Sequence, residues 1–84
     1  MSIQADTDRL VPISEAGQRL GRSVWTLKRL HGRGQLPATI SGTQWLVPDS
    51  FIRMVFASMR PGRAADFGNV AQAWFAIYDP GAAA

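Results

Sequence analysis

The sequence predicts a mostly α-helical domain with one small β-hairpin and an additional helix at its C-terminal side. Three observations carry that expectation. Two short segments with helical apolar spacing flank a glycine-containing turn at Gly21-Arg22-Ser23. A tight-turn signal, Ser41-Gly42-Thr43, separates two short β-prone runs. Two further runs with helical spacing follow, at about 50–59 and 69–78.

Residues 1–9 are polar and aperiodic and read as a flexible tail. Ser14 is the expected N-cap of the first helix, with Glu15 suited to its positive end. Ala16 and Leu20 share one face, and Gly21 stands where a C-terminal glycine belongs. Gly17 weakens this helix by about 1 kcal/mol relative to Ala, so its presence implies that another backbone approaches closely. Ser23 opens a second helix. Val24, Leu27, Leu30 and His31 line one side, and Trp25, Lys28, Arg29 and Gly32 line the other. Gly32, Gly34 and Pro37 end it.

Ala38–Ile40 and Gln44–Val47 read as the two strands of the hairpin, closed by Pro48. Trp45 is expected on its inner face, in the core, with His31 packed under the hairpin or capping the helix end. Asp49 or Ser50 is expected to cap a third helix over about 50–59, with an Ile52, Val55, Phe56 and Met59 stripe widened by Phe51 and Met54. Residues 61–68, opened by Pro61-Gly62, read as a linker. Asp66 or Asn69 caps a fourth helix within 69–79, striped by Val70, Ala73, Trp74 and Ile77, and Asp79-Pro80-Gly81 ends it. Residues 80–84 read as a second flexible tail.

Composition excludes several chemistries. At 84 residues and 9.2 kDa the chain holds one small domain with a thin core. With no cysteine there is no disulfide, thiolate nucleophile or cysteine-based zinc site. His31 is the single histidine, and the acids Asp6, Asp8, Glu15, Asp49, Asp66 and Asp79 are dispersed. The expectation is a non-enzyme with no metal and no cofactor. No run reaches the roughly 20 apolar residues of a membrane span, and residues 1–12 lack the apolar centre of a signal peptide.

The net charge of +3 is modest, but it is unevenly placed. Arg19, Arg22, Lys28, Arg29 and Arg33 fall within 15 residues that contain no acid. That concentration points to a polyanion, and double-stranded DNA is the expected partner. At the other end, Trp74, Phe75, Ile77 and Tyr78 put four large side chains into five residues, more than one helix face hides. They either pack back on Phe51 and Met54 or form an oligomer or partner surface.

The order and spacing of Ser14, Glu15, Ala16, Leu20, Gly21, Ser23, Thr26, Leu27, Arg29, Gly34, Leu36, Pro37, Gly42, Trp45 and Pro48 resemble the excisionase-type, MerR-like winged helix-turn-helix DNA-binding domains. The resemblance covers about residues 10–57. It departs from the family pattern at Arg22, where a small apolar residue is usual, and at the wing tip, where Ser41-Gly42-Thr43-Gln44 carries no charge. It implies three helices plus a wing over residues 10–60, with an additional C-terminal helix. It also implies a phage excisionase, or recombination directionality factor, located in the cytoplasm of a bacterial host. Such proteins bind attachment-site DNA in tandem, bend it, and direct a phage integrase toward excision. Bending of this kind costs on the order of 1–6 kcal/mol, offset by cooperative protein contacts.

On DNA the second helix would lie in the major groove. Trp25, Lys28 and Arg29 face the groove, with Arg29 on a guanine or a phosphate. Ser23 and Thr26 contact phosphate at the helix N-terminus, Arg19, Arg22 and Arg33 suit the backbone, and Thr43 and Gln44 lie at the wing tip. Four to six neutralised phosphates would give a salt slope of roughly −4 to −5. Two other roles fit these residues: a small winged-helix transcriptional regulator, or a protein-interaction adaptor acting through the hydrophobic fourth helix.

Overall fold

A computed structural model of the chain describes residues 9–78. Among these residues there are four helices and a three-stranded antiparallel sheet in the order β1-β3-β2. In chain order the elements are β1 (Leu10–Pro12), α1 (Ile13–Leu20), α2 (Val24–Gly32), β2 (Thr39–Ser41), β3 (Gln44–Pro48), α3 (Asp49–Ser58) and α4 (Phe67–Tyr78). The mostly helical chain with a small hairpin is as expected. The expected tails lie outside the described residues at 1–8 and 80–84, as does the Asp79-Pro80-Gly81 stop.

The start of the domain differs from expectation. Leu10, Val11 and Pro12 pair with Pro48, Val47 and Leu46 as a third strand. Helix α1 then begins directly at Ile13, with Pro12 at the N-cap position and no side-chain cap. Ser14 therefore lies inside the helix. The reason is the sheet: β1 pairs with β3 as far as Pro12, and the helix follows at the next residue. Arg9, expected in the tail, accepts a backbone hydrogen bond from Asp49 N–H at 2.7 Å.

The link from α1 to α2 follows the sequence closely. Gly21 takes the left-handed conformation at φ 69°, and its N–H and that of Arg22 both reach the Gly17 carbonyl. A Cβ on Gly17 would lie 2.6 Å from the Arg22 carbonyl oxygen, which is the close backbone approach the glycine implied. Ser23 caps α2, its Oγ accepting from Thr26 N–H at 3.1 Å. Leu27 is fully buried, Val24, Leu30 and His31 are half-buried, and Trp25, Lys28, Arg29 and Gly32 are exposed.

Ser41 pairs with Gln44 across Gly42-Thr43, and Gly42 alone of the two has positive φ, as a II′ hairpin turn requires. Trp45 is half-buried rather than in the core, its ring edge-on to His31 at 5.2 Å. His31 thus packs under the hairpin. Helix α3 starts at Asp49 with Pro48 at the cap position, so neither Asp49 nor Ser50 serves as a side-chain cap. Phe51, Ile52 and Val55 are fully buried, whereas Phe56, expected on the stripe, is exposed.

Residues 60–63 form a turn rather than an open linker. Arg60 and Arg63 pair across Pro61-Gly62, with Gly62 at φ 78°. Asp66 caps α4, its Oδ1 accepting from Asn69 N–H at 3.0 Å, and the helix starts at Phe67, two residues before 69. That start rotates the buried stripe to Phe67, Val70 and Ala71, with Trp74 and Phe75 next along it. Ala73 and Ile77, expected on the stripe, are exposed. The Phe51 and Phe67 rings lie 6.3 Å apart, joining α4 to the same core as Val11, Leu20, Leu27, Leu36 and Val47.

Replacing Gly17 by alanine forces a clash with a backbone atom, whose overpacking cost of about 1–3 kcal/mol outweighs a helix-propensity gain of about 1 kcal/mol. Urea denaturation is expected to show G17A less stable than the parent. Gly32→Ala, with open space around its Cβ, is expected to be neutral or stabilising. Equal stability of the two variants would contradict the close approach.

Candidate nucleic-acid interface

Seven of the nine cations fall into two sets, with Arg60 and Arg63 apart from both in the turn after α3. Asp49, with its side chain 12% exposed, gathers three arginines: Arg19 Nη1 at 2.6 Å, Arg53 Nε at 3.2 Å and Arg9 Nη2 at 3.9 Å. These are the ion pairs among the described residues. They tie the residue before β1, the last turn of α1 and the second turn of α3 to one carboxylate. Arg19 is thereby committed to Asp49 and does not join the cations of α2.

Arg22, Lys28, Arg29 and Arg33 form the second set. All four are exposed, and none has a carboxylate of the described residues within ion-pair distance. They occupy the turn before α2, its outer face and its C-terminal end. Three of them rest on aromatic rings. Arg29 Cζ lies 4.7 Å from the Trp25 ring centroid, and Lys28 Nζ lies 5.1 Å from that of Trp45. Arg22 Cζ lies 5.8 Å from that of Phe67, and its Nη1 donates to the Gly21 carbonyl at 3.2 Å. Phe67 thus gives the Arg22 side chain a surface to rest on in this turn. The guanidinium carbon lies over the ring at the start of α4 while the side chain stays exposed.

The outer face of α2 follows from its spacing. Leu27 anchors the inner side, so residues 25, 28, 29 and 32 turn outward. Trp25 is 66% exposed, an unusual placement for so large an apolar side chain. At the helix start, Ser23 Oγ also donates to Thr26 Oγ1 at 2.9 Å, so both hydroxyls sit by the first free N–H groups. Thr43 and Gln44 are exposed at the hairpin tip. Trp45 spans the two parts, with His31 and Lys28 of α2 both against it. The hairpin is therefore fixed to the same helix that presents the cations.

The four large residues of α4 separate into two pairs. Trp74 and Phe75 are half-buried against the core, and Trp74 Nε1–H donates to Ser50 Oγ at 2.8 Å. Ile77 is 62% exposed, and Tyr78 is exposed with its ring 5.2 Å from that of Trp74. Trp74, Phe75 and Tyr78 form one wall of an open groove of about 380 Å³, with His31, Pro37 and Thr39 opposite. Among the described residues no cluster of three or more His, Asp or Glu side chains forms, and no helix is long and apolar enough to cross a membrane. No family model, curated protein or solved structure matches the chain.

Asp49→Asn leaves three arginines without their shared carboxylate. A charged hydrogen bond of the Arg19–Asp49 kind contributes about 1.5–3 kcal/mol. Chemical denaturation is expected to show a loss of that order for D49N. Arg53→Ala removes a half-exposed pair and is expected to cost under about 1 kcal/mol. Equal losses would contradict the leading role of Arg19.

Proposed function

We propose that the chain is a winged helix-turn-helix that binds double-stranded DNA. In this reading α2 enters the major groove and the β2–β3 hairpin acts as the wing. The observation that carries it is the set of four cations, Arg22, Lys28, Arg29 and Arg33, on and around one exposed helix face with no carboxylate of the described residues in ion-pair distance. A solvated surface helix usually interleaves charges of both signs. Here Asp49 is held by Arg9, Arg19 and Arg53, away from this face. Ser23 and Thr26 supply hydroxyls at the helix start, and Thr43 and Gln44 supply uncharged donors at the wing tip.

Within that class, the resemblance favours an excisionase acting with a phage integrase. The mechanism is architectural: copies bound to neighbouring sites bend attachment DNA and seat the recombinase. Exposed Ile77 and Tyr78 at the end of α4 are the residues available for contact with a neighbouring copy or the integrase. A small transcriptional regulator would use the same face, and operator layout separates the two. Tandem direct repeats at an attachment site fit the excisionase, and a promoter palindrome fits the regulator.

Fluorescence anisotropy on a labelled random-sequence duplex tests the DNA reading. With Arg19 spent on Asp49, three to four phosphate contacts remain, giving an expected slope of log K against log salt of roughly −3 to −4. Lys28→Ala and Arg33→Ala are each expected to reduce that slope by about one. Arg19→Ala is expected to leave the slope unchanged while lowering stability. Absence of binding at low salt would overturn the proposal.

A further inference from the structure

We propose that Trp25 is a positioning residue that holds Arg29 ready to read a guanine in the major groove. The inference rests on the DNA-binding reading above and adds a base-reading residue and the group that supports it.

The fates of the arginines set Arg29 apart. Arg9, Arg19 and Arg53 are paired with Asp49. Arg22 donates to the Gly21 carbonyl, and Arg60 donates to the carbonyls of Ala57 and Met59. Arg33 and Arg63 have no ring beneath the guanidinium among the described residues. Arg22 also has a ring beneath it but spends a donor on its neighbour's carbonyl. Arg29 keeps all of its donors: its Cζ lies 4.7 Å from the Trp25 ring centroid, and its guanidinium makes no hydrogen bond among the described residues.

The chemistry of that contact matters. A cation–π contact restrains the guanidinium without forming a hydrogen bond to an acceptor, so its N–H donors remain available to a base edge. One edge of the guanidinium carries two parallel donors that match O6 and N7 of guanine. The side chain is otherwise long and mobile, so a platform reduces the freedom lost when it binds. Trp25 and Arg29 are the second and sixth residues of α2, within the two N-terminal turns that face base edges when such a helix lies in the groove. Lys28 contrasts with this. It too rests on an indole, that of Trp45, but an ammonium is a point charge without a fork and suits phosphate.

Trp25 is 66% exposed and belongs to no buried cluster, so its replacement removes the platform without opening the core. Spacing four residues apart on one helix is what brings the two side chains together.

The test is selection from a randomised duplex pool by the full chain and by its W25A, W25F, R29A and R29K variants, followed by sequencing. The wild type is expected to select a motif with one strongly preferred guanine, by about 10- to 100-fold over other bases. R29A and R29K are both expected to lose that preference. R29K keeps the salt slope, since the charge remains. W25A is expected to weaken the same guanine preference about tenfold and leave the other positions of the motif unchanged, and W25F is expected to restore it. A W25A protein with full guanine preference would overturn the proposal. So would an R29A protein that weakens all sequences equally and lowers the salt slope by one, because Arg29 would then hold a phosphate. R29K and W25F decide the matter even where W25A melts early. Wild-type protein that binds duplexes but selects no guanine overturns this inference alone, whereas wild-type protein that binds no duplex overturns the DNA reading with it.

Discussion

The contact between Gly17 and the Arg22 peptide sets the geometry on which the rest depends. One carbonyl, that of Gly17, accepts the N–H groups of both Gly21 and Arg22. The Arg22 carbonyl in turn occupies the space that a side chain at residue 17 would fill. The chain therefore turns within the three residues between α1 and α2, and α2 starts with Leu27 directed into the core. Everything exposed on α2 inherits its direction from that turn, including Trp25, Lys28 and Arg29.

Charge is partitioned by an equally local cause. Asp49 stands where β3 ends and α3 begins, and its backbone N–H holds Arg9 of the incoming chain. Its carboxylate draws in the arginines of three different segments. A single buried acid thus joins distant parts of the sequence and withdraws three of the nine cations from the surface field. Of the six that remain, four lie around α2 and two, Arg60 and Arg63, in the turn after α3. A net charge of +3 understates the local field for that reason. The aromatic side chains act in the same direction, since Trp25, Trp45 and Phe67 each support one cation without neutralising it.

Much of this was legible in the sequence because its causes are local. Gly17, Gly21 and Ser23 each have one physical reason to stand where they do, and the turn follows from them. The inner and outer faces of α2 follow from the spacing of Val24, Leu27 and Leu30. Long-range effects were not legible. A strand of three residues, Leu10–Pro12, has no alternation long enough to recognise, and it exists because Val47 and its neighbours stand opposite. Asp49 looks like a helix cap in sequence, yet its partner Arg19 lies 30 residues away. The face of α4 was misplaced because Phe67 looked like part of a linker. Its burial beside Phe51 starts the helix earlier and turns Trp74 and Phe75 inward together. For the candidate site, the cations were visible as a cluster. What each rests on depends on the fold, although the four-residue spacing of Trp25 and Arg29 is itself a local signal.

The three tryptophans report on three different surfaces: Trp25 on the outer face of α2, Trp45 on the hairpin beside it, and Trp74 on α4 bonded to Ser50. Titrating duplex DNA into isotope-labelled protein and following the three indole N–H signals by NMR tests the central claim most directly. Binding through α2 and the hairpin predicts that the Trp25 signal moves most, that Trp45 follows, and that Trp74 stays in place. Movement of Trp74 with Trp25 unaffected would contradict it and would transfer the binding surface to α4.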